Sequence, residues 1–221
     1  MFRHGQTEYT ERYPDITSEG KRSVHAAAGS ISRAIIGRGI VAHCSRAVRA
    51  RGTLDHLITS ARLKNVVVLE KSGICPIDIF NRPKAERFFS RLKREIKLPY
   101  PAERAYISRD GLYRDAEVIE QKQSVDMRVF AWFQTTIREY VESEELFPGI
   151  SGTLLASTHF EVIHPLVCLF FGQGVASDPV RHVEHLILDV GGQTDGMGEA
   201  VVRAWYRGTE STKKVSYHHH R

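Results

Sequence analysis

Short apolar runs alternate with stretches of helical periodicity along most of the chain. Ile40–Ala42, Val66–Leu69 and Thr153–Ser157 have the length and apolar character of buried strands. Leu186–Leu188 and Val201–Tyr206 predict two further strands. Strands that alternate with helices are typical of an α/β fold, here a three-layer sandwich in which helices flank a mostly parallel central sheet.

The stretches between these runs carry apolar residues at helical spacing. Thr17 is a suitable N-cap for the first helix, and a tryptophan, a phenylalanine and a tyrosine contribute to the stripe of the fourth. Such a stripe is far more typical of a packed core than of a cofactor site. Five helices are predicted in this way: after Thr17, over 47–58, over the basic amphipathic segment 82–97, over 129–141 and over 162–171.

One connection stands apart from this pattern. Residues 98–124 show little periodicity and contain Pro99, Pro101 and Gly111, so we expect them to be irregular. A connection of this length is often a functional lid or an insertion. Since no internal repeat or domain boundary is visible, we predict a single domain over 1–221 with a lid or insertion around 82–125.

Composition narrows the classes of function. The chain has 221 residues, 42% hydrophobic and 26% charged, and a net charge of +5 that suits an anionic substrate but is too small to indicate nucleic-acid binding. Three widely spaced cysteines argue against a disulfide framework and against a thiolate zinc site. No run approaches the roughly 20 apolar residues of a membrane span, and no signal peptide is visible. We therefore expect a cytoplasmic protein without a membrane or nucleic-acid partner.

Polar side chains follow three of the predicted strands. Arg3-His4-Gly5 follows the first apolar residues, the segment Ser45–Thr53 follows the second strand, and Thr158-His159 follows the run at Thr153–Ser157. In an open parallel sheet the carboxyl ends of the strands meet at one crevice, so these groups are expected to converge. Guanidinium groups bind phosphate oxygens in charge-assisted pairs, and a neutral imidazole is a competent nucleophile toward phosphorus.

The order of these motifs resembles that of the histidine phosphatase superfamily, on its phosphoglycerate-mutase-like branch. Arg3-His4-Gly5-Gln6-Thr7 matches the Arg-His-Gly signature with its trailing Thr, and Asp15–Gly20 resembles the helix start that follows it. Ser45–Thr53 fits the segment that carries the second arginine, Arg49. Ser157-Thr158-His159 stands where the family has its second histidine. The match covers nearly the whole chain.

The resemblance implies roles for these residues. His4 would be the nucleophile, and Arg3, Arg49 and His159 would hold the phosphoryl group, His159 as a partly protonated cation. Gln6 and Thr7 would add neutral hydrogen bonds. No metal and no cofactor are implied. Phe160-Glu161 replaces the family's usual Gly-Gly, so Phe160 is expected to narrow the pocket or to give it an apolar wall.

The proton donor to the leaving oxygen is left open by the sequence. Glu70, after the strand that follows the second arginine, is the nearest match to the family's acid and is the first choice. Asp78 and Glu161 are the alternatives, as is the absence of an acid. Such a carboxyl needs a raised pKa, and therefore partial burial, to donate a proton near neutral pH.

The predicted function is a metal-independent phosphomonoester hydrolase that acts through a phosphohistidine on His4. Its substrate would be a small-molecule phosphomonoester or a phosphoprotein. The alternatives are a phosphoglycerate mutase-type phosphotransferase and a catalytically inactive protein that binds phosphate or a phosphopeptide. The remaining histidines, among them His182 and His185, have no motif support and are assigned structural roles.

Overall fold

Four parallel strands form the central sheet of the computed structural model, which describes residues 1–8, 14–35, 39–108, 111–146, 152–191 and 198–217. They lie in the order β1-β4-β2-β3. The sheet confirms the predicted α/β class, because each run that predicted a parallel strand forms one. The strands are β1 (Phe2–Arg3), β2 (Gly39–Cys44), β3 (Val66–Glu70) and β4 (Gly152–Thr158).

The register of the sheet aligns the carboxyl ends of its strands. Arg3 pairs with Thr158 across β1 and β4, and Cys44 of β2 is level with both Ser157 of β4 and Glu70 of β3. The residues that follow β1, β2 and β4 therefore leave the sheet at the same edge. This is the convergence that the sequence predicted.

Helices cover both faces of the sheet, and their apolar side chains form two buried clusters. One cluster joins the sheet to α1 and α2 through residues such as Val24 and Leu54, and the other contains the α5 and α6 residues Phe133 and Leu166. Apolar faces at helical spacing therefore pack as predicted, including the aromatic stripe of α5. The helices are α1 (Ser18–Ala34), α2 (Val48–Ser60), α3 (Arg82–Glu95), α4 (Pro101–Ser108), α5 (Lys122–Leu146) and α6 (Phe160–Ala176).

A second, antiparallel sheet follows α6. It consists of β5 (Ile187–Gly191), β6 (Glu199–Tyr206) and β7 (Thr209–Ser216) in that order. An isolated antiparallel bridge pairs His185, just before β5, with Phe2 of β1. The apolar runs of the sequence predict β5 and β6 but not β7. Strand β7 is mostly polar and exposed, as edge strands commonly are, so it lacks an apolar run.

The expectation that 98–124 is irregular was wrong. Helix α4 begins at Pro101, a residue favoured in the first turn of a helix, and a 3-10 turn follows at Gly111–Arg114. Eight residues are too few for a stable isolated helix, so α4 depends on tertiary packing. Ala105 and Tyr106 provide that packing, since both are buried. Among the described residues, no helix is long and apolar enough to cross a bilayer.

Candidate active site

His4 lies directly after β1 and is 2% exposed. Its backbone N–H donates to the Thr158 carbonyl over 2.9 Å, which fixes the residue beside β4. The ring atom Nδ1 lies 2.7 Å from the Gly5 carbonyl oxygen, which can only accept, so Nδ1 carries the proton. The other ring atom, Nε2, accepts a hydrogen bond of 3.2 Å from Arg49 Nε. Nε2 therefore carries the lone pair that a nucleophile needs.

The surroundings of His4 keep its ring neutral. Burial is the largest cause that lowers its pKa well below the usual value, and the positive charges of Arg49 and Arg3 lower it further. A protonated imidazole has no free lone pair and cannot attack phosphorus. The site therefore holds its histidine in the reactive form across the neutral pH range.

Thr53 connects the helix that carries Arg49 to the loop that carries His4. Its hydroxyl donates to the Arg49 carbonyl over 2.6 Å and accepts from the Gly5 backbone N–H over 2.9 Å. The threonine is fully buried. One side chain therefore sets the distance between the second arginine and the nucleophile's loop, a role that the sequence motif did not reveal.

His159 occupies the N-cap position of α6. The centroid of its ring lies 5.1 Å from that of the His4 ring. His159 Nε2 is 2.8 Å from the Ser45 hydroxyl, whereas its buried Nδ1 has no partner among the described residues. Burial, followed by the charge of Arg49, lowers its pKa well below the usual value. That a bound phosphate would protonate this second histidine stays a prediction. His159 is a neutral group with an unused ring nitrogen.

Arg3 is almost fully buried and held by several neighbours. Its guanidinium donates to the Val180 carbonyl over 2.5 Å and forms an ion pair with Glu103 of α4. It also lies over the ring of Tyr100 at 5.2 Å and over that of Phe160 at 5.8 Å. Phe160 thus packs against Arg3, and its expected effect on the shape of the pocket stays a prediction. The Nε atom of Arg3 is buried and has no partner among the described residues.

The loop residues Gln6 and Thr7 border the site mainly through their backbone. The Gln6 carbonyl accepts from the Thr17 N–H over 2.9 Å, while the residue itself is exposed. The Thr7 hydroxyl donates to the Gly5 carbonyl over 3.2 Å and lies 3.5 Å from His4 Nδ1. Hydrogen bonds from their side chains to a phosphoryl group stay a prediction.

The structure separates the three candidate proton donors. Glu70 is the last residue of β3, and its side chain is exposed. Strand β3 lies three strands away from β1, which corresponds to about 14 Å at the usual spacing between strands. Glu70 lacks the burial that a proton donor needs, so it is a poor choice. Asp78 is exposed as well. Glu161 lies in the first turn of α6, where burial raises the pKa of its carboxyl although the charges of Arg3 and Arg49 act against this rise.

With this geometry the chain can be compared with known proteins. No family model matches it, and no curated protein matches its sequence. Among solved structures, a phosphoglycerate mutase from Bacillus anthracis is similar over 98% of this chain and 91% of its own, with a TM-score of 0.58 at 11% identity. A mycobacterial glucosyl-3-phosphoglycerate phosphatase is similar over 98% and 96%, with a TM-score of 0.57 at 14% identity. The chain has the phosphoglycerate-mutase-like fold.

In this fold a cleft of about 550 Å³ opens beside Arg49. Its lining includes Arg46, Asp78, Glu120 and Arg128. Glu120 and Arg128 pair with each other over 3.0 Å, so their charges largely cancel. Volumes of 300–1,000 Å³ are typical of small-molecule sites, and Arg49 is the residue that connects this cleft to His4.

Two further residues belong to this site but had no signal in the sequence. Glu103 reaches Arg3 from α4, and the ring of His182 lies 5.6 Å from that of His4. Neither belongs to a recognisable motif, and His182 is 178 positions from the nucleophile, so only the fold brings them together. The described residues contain no group of three or more side chains arranged to bind a metal ion.

Proposed function

We propose that this protein is a metal-independent phosphatase of small phosphomonoesters that acts through a phosphohistidine on His4 Nε2. One observation carries the proposal: two residues that act on His4, Arg3 through its charge and His159 through a ring 5.1 Å away, have buried polar atoms without partners among the described residues, Arg3 Nε and His159 Nδ1. Only three buried side-chain atoms lack a partner among the described residues, and two of them are here. Unsatisfied buried donors are costly, and phosphoryl oxygens would satisfy both.

The reaction would proceed in two displacements. First, His4 Nε2 forms a bond to phosphorus while the bond from phosphorus to the leaving oxygen breaks. Glu161, whose carboxyl pKa is raised by burial, gives its proton to that oxygen. Water then attacks the phosphohistidine, the Glu161 carboxylate takes one of its protons, and the phosphorus–nitrogen bond breaks to release inorganic phosphate.

The remaining groups would stabilise the charge on the equatorial oxygens. Arg3 and Arg49 supply fixed positive charges, and fixed charges need no reorganisation during the reaction. If the Ser45 hydroxyl donates to His159 Nε2, the proton of that histidine resides on Nδ1 and can be donated to an oxygen. His159 thus acts as a neutral donor.

The neighbours in fold support phosphate as the ligand. The mycobacterial glucosyl-3-phosphoglycerate phosphatase has been solved with inorganic phosphate and with vanadate. Vanadate mimics the geometry of phosphoryl transfer. We therefore expect inorganic phosphate and vanadate to inhibit this protein competitively.

Hydrolysis of p-nitrophenyl phosphate tests the proposal. We expect activity that survives a metal chelator and is lost in His4→Ala, with His25→Ala, an exposed histidine on α1, as the matched control. Acid-labile, base-stable phosphate should be trapped on the wild-type protein and absent from the His4→Ala variant. Full activity of His4→Ala, or activity that the chelator abolishes, would contradict the mechanism.

The mutase alternative is kept because a phosphoglycerate mutase is among the similar structures. Incubation with 3-phosphoglycerate separates the two activities. Formation of 2-phosphoglycerate indicates a mutase, whereas release of inorganic phosphate indicates a phosphatase. Binding of phosphate without turnover of any phosphomonoester in a panel would identify the protein as a catalytically inactive binding protein.

A further inference from the structure

A third imidazole lies beside the nucleophile. The His182 ring is 5.6 Å from that of His4 and meets the Tyr100 ring edge-on at 5.4 Å. It is half-buried, and neither of its ring nitrogens has a hydrogen-bond partner among the described residues. The nitrogens are therefore available to a ligand bound at His4.

The backbone that carries His182 is held in a strained conformation. The next residue, Val183, has a φ of 61°, a left-handed conformation that is rare for a β-branched side chain. Strain of this kind persists only where the surroundings enforce it. The Val183 N–H donates to the Arg3 carbonyl, and the Arg3 N–H donates to the Glu184 carbonyl, both over 3.1 Å. The strained turn is thus joined directly to the strand of the nucleophile.

Further contacts fix the segment Val180–Leu186, which we call the strap. At one end the Val180 carbonyl accepts from Arg3. At the other, the Glu184 carboxylate accepts from Arg207 over 2.6 Å and from the Tyr206 hydroxyl over 3.0 Å. The strap therefore presents His182 to the site in a rigid position, as groups that bind a transition state require.

From this arrangement we propose that His182 binds the phosphoryl group, donating a neutral hydrogen bond to one of its oxygens. The inference rests on the proposed function, because it concerns the same phosphate. Burial, followed by the charge of Arg3, lowers the pKa of His182 to about 3, so the ring is neutral at physiological pH. A neutral imidazole carries one N–H, and this N–H adds a donor without adding another cation beside Arg3 and Arg49.

Substitutions at His182 separate this role from a structural one. His182→Phe keeps an aromatic ring against Tyr100 but removes the donor. Its affinity for inorganic phosphate should fall about 10-fold, and kcat/KM with p-nitrophenyl phosphate should fall by about 10² or more. His182→Asn and His182→Gln each place an amide N–H near one of the two ring nitrogens, so one of them should recover part of both losses.

His25→Phe is the control, because His25 is an exposed histidine on α1 and lies outside the strap. Its phosphate affinity should match that of the wild type, and thermal unfolding of all variants checks that they fold. The inference is overturned if His182→Phe binds phosphate and turns over like an active wild type. It is also overturned if neither amide variant exceeds His182→Phe in phosphate affinity. A wild type that neither binds nor hydrolyses phosphate esters contradicts the proposed function itself.

Discussion

A glycine in the first turn of α1 offers a sharp test of how the site is held. The N-cap Thr17 accepts from the Gly20 N–H over 3.0 Å, and the Thr17 N–H bonds to the Gln6 carbonyl. A Cβ added at Gly20 would lie 2.6 Å from the Gln6 carbonyl oxygen and 2.9 Å from its nitrogen. Both are backbone atoms of the loop that follows His4, so Gly20→Ala must push this loop away from α1.

Two opposing effects decide the size of the change. Alanine favours a helix over glycine by about 1 kcal/mol, whereas overpacking costs about 1–3 kcal/mol. We expect a net loss of up to about 2 kcal/mol and a Tm lowered by up to about 8 °C for a chain of this length. Because the displaced loop carries the nucleophile, a shift near 1 Å should lower kcat/KM by about 10².

Gly29→Ala in the same helix is the matched control. There the nearest atom to an added Cβ is a guanidinium nitrogen of Arg33 at 4.0 Å, so only the helix preference acts, and Tm should rise slightly. Thermal unfolding and p-nitrophenyl phosphate hydrolysis measure both variants. A Gly20→Ala protein as stable and as active as Gly29→Ala would refute the argument that the close approach of α1 positions the loop.

The other predictions concern the acid, the core histidines and the link between α2 and the loop. Glu161→Gln should lower kcat for an alkyl phosphate by about 10²–10⁴, while Glu70→Gln should not. Because Glu161 must be protonated and its pKa is raised, wild-type activity should fall as the pH rises through that pKa, and this alkaline limb should vanish in Glu161→Gln. Burial lowers the pKa of His43 and of His164 to about 4 in the folded protein. In the unfolded chain both histidines have a pKa of about 6.5, so below that pH the unfolded chain binds more protons than the folded protein. Stability should therefore decrease as the pH falls from 6.5 toward 4, by about 2 kcal/mol per histidine at pH 5, which urea unfolding at pH 7 and pH 5 would measure. Thr53→Val should cost about 1–3 kcal/mol because it leaves a buried backbone N–H unsatisfied, whereas Thr53→Ser should keep most of the stability and activity in the same assays.

The parts of the fold that depend on local pattern could be predicted from the sequence. Strands β2, β3 and β4 are short apolar runs, and α1 has the N-cap that Thr17 predicted. Their order is enough to place the ends of β1, β2 and β4 at one edge. The meeting of His4, Arg49 and His159 was predictable for this reason.

The missed parts depend on tertiary packing instead of local pattern. Helix α4 is short, and β7 is polar, so neither has the periodicity that identifies an element. The burial of the candidate proton donors could not be predicted for a different reason. Whether a carboxyl is buried depends on the order of the strands, and that order places Glu70 on an exposed edge while Glu161 lies inside the helix start.

The two-residue strand β1 has a consequence for how the protein folds. Its hydrogen bonds go to Thr158 of β4 on one side and to Glu184 of the strap on the other, more than 150 positions away along the chain. Contacts between such distant residues carry a large entropy of loop closure and form late in folding. His4 can therefore reach its final position only once β4 and the strap are in place. Phosphate binding during refolding would report completion of the native structure, not of an early intermediate.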